Sequence, residues 1–167
     1  MQDQLIQTLT DLVRINSVNP DLSNDGQGER EIAEYVQGHF QGLGIPSNVH
    51  TVKGDRCNTT AFIIGDDPNR ILLMNGHLDT VGIEGMNKPF TIRKDGDKLY
   101  GRGTYDMLAG CAIQMGLATY FSKNPCPISL AFTFVADEKK LRIGMEHLVS
   151  HFLPTLPQGG FPHILTE

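Results

Sequence analysis

The stretch PISLAFTFVADEKKLRIG, residues 127–144, is the most informative part of the sequence for the fold. Its first half is an uncharged run rich in β-branched and aromatic residues, which predicts a buried strand. Asp137 and Glu138 end that strand, and two lysines follow at once. Acids at the end of a buried strand often bind metal or transfer protons, whereas neighbouring ammonium groups repel a bound cation. Three interpretations are therefore open: a working metal site, an altered one, or a charged turn.

Outward from this stretch, helical and strand patterns alternate along the chain. Apolar residues at helical spacing predict helices over residues 5–13, 32–43, 106–118 and 144–153. The segments SNVHTVK, TTAFIIG, NRILLMNGHLD and PHILTE have strand patterns, and a hairpin is predicted around Asp95 and Gly96. This alternation predicts an α/β fold with a mostly parallel mixed sheet flanked by helices. Ligands of such sheets bind beyond the carboxyl ends of the strands.

Length and composition are typical of one globular domain. The chain has 167 residues, of which 40% are apolar and 20% charged, with a net charge of −5. This charge argues against nucleic-acid binding, and no stretch approaches the ~20 apolar residues of a membrane span. The N-terminus lacks the apolar region of a signal peptide, and three cysteines without metal-type spacing favour reduced thiols. We therefore expect a cytoplasmic protein.

Polar candidates lie at the ends of the predicted strands. His77 and Asp79 follow the strand RILLMNG, where an imidazole is a suitable zinc ligand and the acid can fix its tautomer. A His-x-Asp triplet is also common in surface loops. Asp106 lies where a glycine-rich turn enters a helix, so its carboxylate could bind metal or simply cap the helix. Glu138 and Glu167 each follow an apolar run and, taken singly, are ordinary charged residues.

Together these positions indicate one site, because all lie at the same edge of the predicted sheet. One histidine with several carboxylates is typical of paired-zinc hydrolases. In these enzymes two metals about 3.5–4 Å apart share a carboxylate and activate a water molecule. A free glutamate nearby would accept the proton of that water.

The segments LLMNGHLDTV, LYGRGTYDMLAGCAIQM and FTFVADE resemble, in order and spacing, a family of zinc exopeptidases. It is the family of acetylornithine deacetylase, succinyl-diaminopimelate desuccinylase, aminoacylase and carboxypeptidase G. Residues 9–45 are most similar to the acetylornithine-deacetylase branch. The resemblance implies the phosphorylase/hydrolase-like zinc exopeptidase fold, here truncated, and hydrolysis of linear amide or peptide bonds.

The resemblance also implies roles for single residues. His77 matches a ligand of one zinc, and Asp79 matches the acid that orients this histidine and is often called catalytic. Asp106 matches the carboxylate that bridges both metals. Glu138 matches the general base, and Glu167 matches an acid that binds the first metal.

The sequence departs from the family pattern at the turn after residue 138. Lys139 replaces an expected glutamate ligand of the second zinc, and Leu141 and Arg142 replace a glycine pair. A protonated lysine offers no lone pair to a metal. We therefore expect an incomplete two-metal site for zinc, or alternatively cobalt. A deprotonated lysine ligand, or a slipped register with Glu138 as ligand and Asp137 as base, is the alternative.

The family pattern continues beyond residue 167. Residues 1–167 correspond to the N-terminal part of the catalytic domain. The lid or dimerisation domain and the C-terminal part, which supplies a last histidine ligand, are expected to be absent. An unfinished sheet would expose an apolar edge that favours self-association.

Two functions of different classes follow from these expectations. The first is a metal-dependent amidohydrolase that deacylates N-acyl amino acids or cleaves small peptides, in a truncated or degenerate form. The second is a non-catalytic binding or interaction domain that retains the fold and at most one metal. A third arrangement, in which a separate polypeptide completes the site, stays open.

Overall fold

The structure is a computed structural model that describes residues 2–156 and the backbone of residues 163–165. Its helices and strands are, in chain order, α1 (Gln2–Arg14), α2 (Arg30–Gly42), β1 (Ser47–Lys53), β2 (Arg56–Ile63), β3 (Asp67–His77), β4 (Arg93–Asp95), β5 (Lys98–Tyr100), α3 (Leu108–Phe121), β6 (Ile128–Val135), α4 (Ile143–His147) and β7 (His163–Leu165). The predicted α/β alternation is therefore confirmed.

The main sheet is mixed, with the strand order β1-β2-β6-β3-β7. The β1–β2 and β2–β6 pairs are antiparallel, whereas β6–β3 and β3–β7 are parallel. Among the described residues, two of the four strand pairs in this sheet are thus parallel, whereas the sequence predicted a mostly parallel sheet. Strand β6 lies at the centre, and all its residues after Ile128 are buried. This position explains the uncharged run, because a central strand covered on both faces has no side that tolerates charge.

Helices α1, α2 and α3 cover one face of the sheet, because each has an apolar side to bury. Leu12 of α1, Phe40 of α2 and Met115 of α3 are fully buried in one cluster with Phe132 and Phe134 of β6. The opposite face is covered by the segment after α4, where Leu156 packs on Leu73 and Ala131. Both faces of β6 are therefore shielded from water.

The last predicted helix is less regular than its apolar pattern indicates. Its α-helical part is confined to α4, and a π-helical turn (Leu148–Phe152) and a 3-10 turn (Leu153–Thr155) follow. Pro154 has no N–H to donate and restricts the residue before it, so a regular α-helix cannot continue to this point. None of the described helices is long and apolar enough to cross a membrane.

Candidate functional site

The candidate site begins where the parallel strands β3 and β6 end side by side. His77 pairs with Val135 in the register of the two strands. The next residues of each strand must then lie next to each other, as the sequence predicts. Asp79 accepts hydrogen bonds from the backbone N–H groups of Glu138, at 3.0 Å, and Lys139, at 3.1 Å. Asp79 therefore ties the turn after β6 to the end of β3.

His77 is held by contacts at both ring nitrogens. Its Nδ1 lies 2.9 Å from the backbone carbonyl oxygen of Asp79, and its Nε2 lies 2.8 Å from Oδ1 of Asp106. A carbonyl oxygen only accepts hydrogen bonds, so the Nδ1 atom carries a hydrogen. An ionised carboxylate also only accepts. The contact between Nε2 and Asp106 therefore requires a positive charge, either a second proton on the ring or a metal ion.

The charges around the ring favour the positive form. Burial lowers the pKa of His77, but the hydrogen bonds and charge of Asp79, with the hydrogen bond to Asp106, outweigh burial and raise this pKa overall. Burial raises the pKa of Asp79, yet the bonds it accepts from His77 and Asn19 leave it below its ordinary value. A buried cation next to two carboxylates is the expected resting state.

Asp106 does not cap α3, which corrects the capping alternative. The N-cap residue of α3 is Met107, and no side-chain hydrogen bond caps the N-terminus of this helix. The half-exposed carboxylate of Asp106 instead contacts His77 through Oδ1 and Lys139 through Oδ2. Burial raises the pKa of Asp106, but these two cationic partners lower it overall.

The turn that delivers Asp106 depends on Gly103. This residue has φ +82°, in the left-handed region that favours glycine. A Cβ atom there would lie 2.7 Å from the Leu108 side chain and 2.9 Å from that of Thr80. The glycine therefore permits the close approach that brings Asp106 to the strand ends.

Lys139 lies between two carboxylates. Its Nζ atom is 2.5 Å from Oδ2 of Asp106 and 3.4 Å from Oε2 of Glu138, and its side chain is only 20% exposed. Burial lowers the pKa of this lysine, but the hydrogen bond and charge of Asp106 raise it overall. The amine is thus protonated at neutral pH, which argues against a deprotonated lysine ligand.

Asp137 faces away from this group. Its φ of +58° turns the chain out of the strand conformation, and its fully buried carboxylate accepts hydrogen bonds from Asn19 and Arg56. The slipped register requires Asp137 to act as the base. Glu138 and Lys139 line the site cavity, whereas Asp137 is not among its lining residues.

A buried network of ion pairs, which the sequence analysis missed, holds the turn after β6 through Asp137. Arg56 donates two hydrogen bonds to Glu29, at 2.6 and 2.8 Å, and one to Asp137 at 3.0 Å. Burial raises the pKa of Glu29, although Arg56 opposes this. These residues are 27 and 81 positions apart from Arg56 in the chain, so no local motif reveals them.

The site residues line a small polar cavity of about 190 Å³. Its lining residues are Asn75, His77, Asp106, Met107, Glu138 and Lys139. A larger groove of about 430 Å³ lies elsewhere, between α1 and α3, and shares no residue with it. The groove is larger than this cavity, but the predicted ligands His77 and Asp106 and the predicted base Glu138 all line the smaller cavity.

The two metal positions differ in how well the residues fit them. His77 and Asp106 fit a first metal, because Nε2 of His77 and Oδ1 of Asp106 face each other and their contact requires a positive charge. The second metal does not fit, because the ammonium of Lys139 contacts the other oxygen of Asp106. In the described part of the chain, no three His, Cys, Asp or Glu side chains are grouped to hold an ion. The predicted ligand Glu167 lies outside the described residues.

Residues 73–163, more than half of the chain, match the profile of peptidase family M20/M25/M40. The chain is 32% identical over 168 residues to an uncharacterized metallohydrolase of Methanocaldococcus jannaschii, covering 90% of this chain and 40% of that protein. It is 30% identical over 153 residues to a probable succinyl-diaminopimelate desuccinylase of Staphylococcus aureus, covering 88% of this chain and 35% of the relative. The chain thus spans well under half the length of these relatives.

The fold is also similar to that of a solved enzyme. The structure of human carnosine dipeptidase 1 superimposes with a TM-score of 0.80 and 20% identity, over 98% of this chain and 38% of the dipeptidase. This likeness shows the fold and confirms the arrangement of sheet and helices predicted from the sequence.

Proposed function

Because the chain belongs to peptidase family M20/M25/M40, we propose that it forms the N-terminal part of the catalytic domain of a metal-dependent amide hydrolase. The observation that carries this proposal is the contact between His77 Nε2 and Asp106 Oδ1 at 2.8 Å. Because Nδ1 of His77 donates its hydrogen to the carbonyl of Asp79, the contact between Nε2 and Asp106 requires a cation. Nε2 and Oδ1 are both able to act as ligands of that cation. A bound divalent metal satisfies this requirement and would release the second ring proton.

Each residue then has a defined part in the reaction. His77, Asp106 and Glu167 would hold the metal, which supplies Lewis acidity toward a substrate carbonyl and a more acidic water. Asp79 accepts the backbone hydrogen bonds that fix the turn, and its carbonyl fixes the tautomer of His77. It therefore positions the residues around it.

Glu138 is the proposed general base. Its carboxylate lines the cavity, is 40% exposed, and lies 3.4 Å from the ammonium of Lys139. An accessible carboxylate beside the metal ligands can take a proton from a water molecule and return it to the departing amine. The buried Asp137 has no access to the cavity and is left in a structural role.

The proposed substrates are small N-acyl amino acids or short peptides. The small polar cavity suits the reacting amide rather than a large apolar group. One named relative is a probable succinyl-diaminopimelate desuccinylase and one fold neighbour is a dipeptidase, and each is consistent with one of these substrate classes. The three cysteines are buried, and a reducing cytoplasm is the proposed location of the protein.

A non-catalytic binding domain is the second candidate function, and the Lys139–Asp106 ion pair favours it. This pair occupies an oxygen that the family pattern assigns to metal. Strands β1 and β7 form the edges of the described sheet, so another chain could pair there. Self-association by this route would raise the mass measured by sedimentation equilibrium as concentration increases.

Hydrolysis assays with the purified protein discriminate the two functions. The substrates are N-acetylornithine, N-succinyl-diaminopimelate and a β-alanyl dipeptide, each with zinc or cobalt and with a chelator. We expect metal-dependent release of amine from one class, and a loss of at least 100-fold in kcat for Glu138→Gln. Glu146→Gln removes an exposed carboxylate of α4 and should retain activity. Metal binding without hydrolysis of any substrate would overturn the enzyme proposal and support the binding domain.

A further inference from the structure

Each oxygen of the Asp106 carboxylate contacts a different nitrogen. Oδ1 faces the ring of His77 at 2.8 Å, and Oδ2 faces the ammonium of Lys139 at 2.5 Å. A carboxylate that bridges two cations uses its oxygens in this way. Here, however, the group at the second oxygen is covalently part of the chain.

The ammonium is held in place by more than this contact. Its Nζ atom is also 3.4 Å from Glu138 Oε2, so it lies between the proposed bridging carboxylate and the proposed base. The backbone N–H of Lys139 is fixed by Asp79 at 3.1 Å, and the side chain is mostly shielded from water. Its neighbour Lys140 turns the other way and donates to the backbone oxygen of Asp21.

The chemistry of an ammonium group decides what can bind beside it. It donates up to three hydrogen bonds, accepts none and cannot ligate a metal. A divalent ion at Oδ2 of Asp106 would have to displace Nζ and would then lie close to a like charge. The first position, between Asp106 Oδ1 and His77, carries no such conflict.

We propose that the Lys139 ammonium takes the place of the second metal ion, so that this site binds one divalent metal and carries its other positive charge on the chain. This inference rests on the proposed function for the identity of the site, but not on turnover. Among the described residues, Lys139 has two carboxylate partners, which leaves one N–H donor of its ammonium group at the lining of the cavity. That donor suits the carbonyl oxygen of an amide substrate, which becomes negative during hydrolysis.

Metal stoichiometry tests the inference without any substrate. The purified protein is titrated with zinc by calorimetry, and bound zinc is counted by elemental analysis after gel filtration. His147 and His151 stack at the surface with ring centroids 4.3 Å apart and could bind zinc themselves. The count for the site is therefore the difference from Asp106→Asn, whose half-exposed side chain makes a folded variant the expected result.

We expect a count of one for the wild type and two for Lys139→Glu, which replaces the ammonium by a carboxylate. Lys140→Glu makes the same charge change one residue away and should leave the count at one. Lys139→Met removes the charge without adding a ligand and should also give one. Circular dichroism confirms that each variant is folded before it is counted.

Three results would overturn the inference: a wild-type count of two, a count of zero, or equal counts for Lys139→Glu and Lys140→Glu. A count of two for Lys139→Glu without hydrolysis of any amide leaves the inference intact and refutes the proposed hydrolase. Metal-dependent hydrolysis by a wild-type site that binds two ions supports the hydrolase and refutes the role given to Lys139.

Discussion

The Asp79 carboxylate accepts a hydrogen bond from the backbone N–H of Glu138 at 3.0 Å, although the two residues are 59 positions apart. Parallel pairing of β3 and β6 creates this proximity, because the two strands end in register. Asp79 is fully buried and its other oxygen accepts from Asn19 and Lys139. Besides its contact with the ring of His77, this carboxylate thus satisfies three further donors and sets the direction of the turn.

Replacing Asp79 by asparagine should destabilise the protein by about 3 kcal/mol. An asparagine side chain has one oxygen and one NH₂ group, so its NH₂ group would face at least one of the N–H donors that now bind the Asp79 carboxylate. That buried donor would lose its hydrogen bond. The change is measured as the free energy of unfolding in urea. Asp95→Asn weakens an exposed pair with Arg93 in the β4–β5 hairpin and should cost less than 1 kcal/mol. Equal effects of the two variants would show that Asp79 does not hold the turn.

Replacing Arg56 by methionine should cost about 3–5 kcal/mol in the free energy of unfolding. The guanidinium is the cation between Glu29 and Asp137, both fully buried, and its loss would leave their charges unpaired. Arg30→Met is the matched control, because Arg30 pairs with Asp55 at the exposed surface. We expect less than 1 kcal/mol for that control in the same urea titrations. A small effect of Arg56→Met would contradict the role of the guanidinium as the cation that compensates these two buried acids.

The sequence predicts most of the sheet because burial dictates the residues of its central strands. The uncharged run of β6 and the strand-end position of His77 follow from local pattern and from the parallel arrangement. The direction of Asp137 does not follow, because its positive φ breaks the alternation of strand side chains. The pairing of Arg56 with Glu29 depends on how α2 is placed against β2, which no local pattern specifies.

Replacing Gly144 by alanine should destabilise the protein and disturb the turn that carries Lys139. A Cβ atom at Gly144 would lie 2.3 Å from the Ala136 carbonyl oxygen and 2.6 Å from Asn58 Oδ1. Asn58 bonds the backbone of both segments, so the clash falls on the contact that joins α4 to the end of β6. We expect a loss of about 1–3 kcal/mol in thermal or urea unfolding.

Gly38→Ala is the control for this change. Gly38 lies within α2, and in the described part of the chain no atom other than its chain neighbours and the backbone of the helix is within 4 Å of the position that its Cβ would take. Alanine is favoured over glycine inside a helix by up to about 1 kcal/mol, so this variant should be as stable as the wild type or more stable. A Gly144→Ala variant that behaves in the same way would contradict the close packing at Ala136.

His39 should make the stability of the protein depend on pH. Burial lowers the pKa of this half-buried ring in the folded state, and the bond to the Met115 carbonyl only partly opposes this. The unfolded ring has a pKa of about 6.5, so the unfolded chain binds more protons between the two pKa values. The stabilisation by neutral His39 is therefore complete above about pH 6.5 and is lost as the pH falls through the folded-state pKa.

The His39→Gln variant isolates this effect, because a glutamine amide can still donate to the Met115 carbonyl but does not titrate. We expect the wild type to exceed the variant in free energy of unfolding by more at pH 7.5 than at pH 5.5. Every other titrating group is common to both proteins, so the difference between them reports His39 alone. A difference that stays constant with pH, or grows as the pH falls, would show that the folded protein accommodates the charged ring.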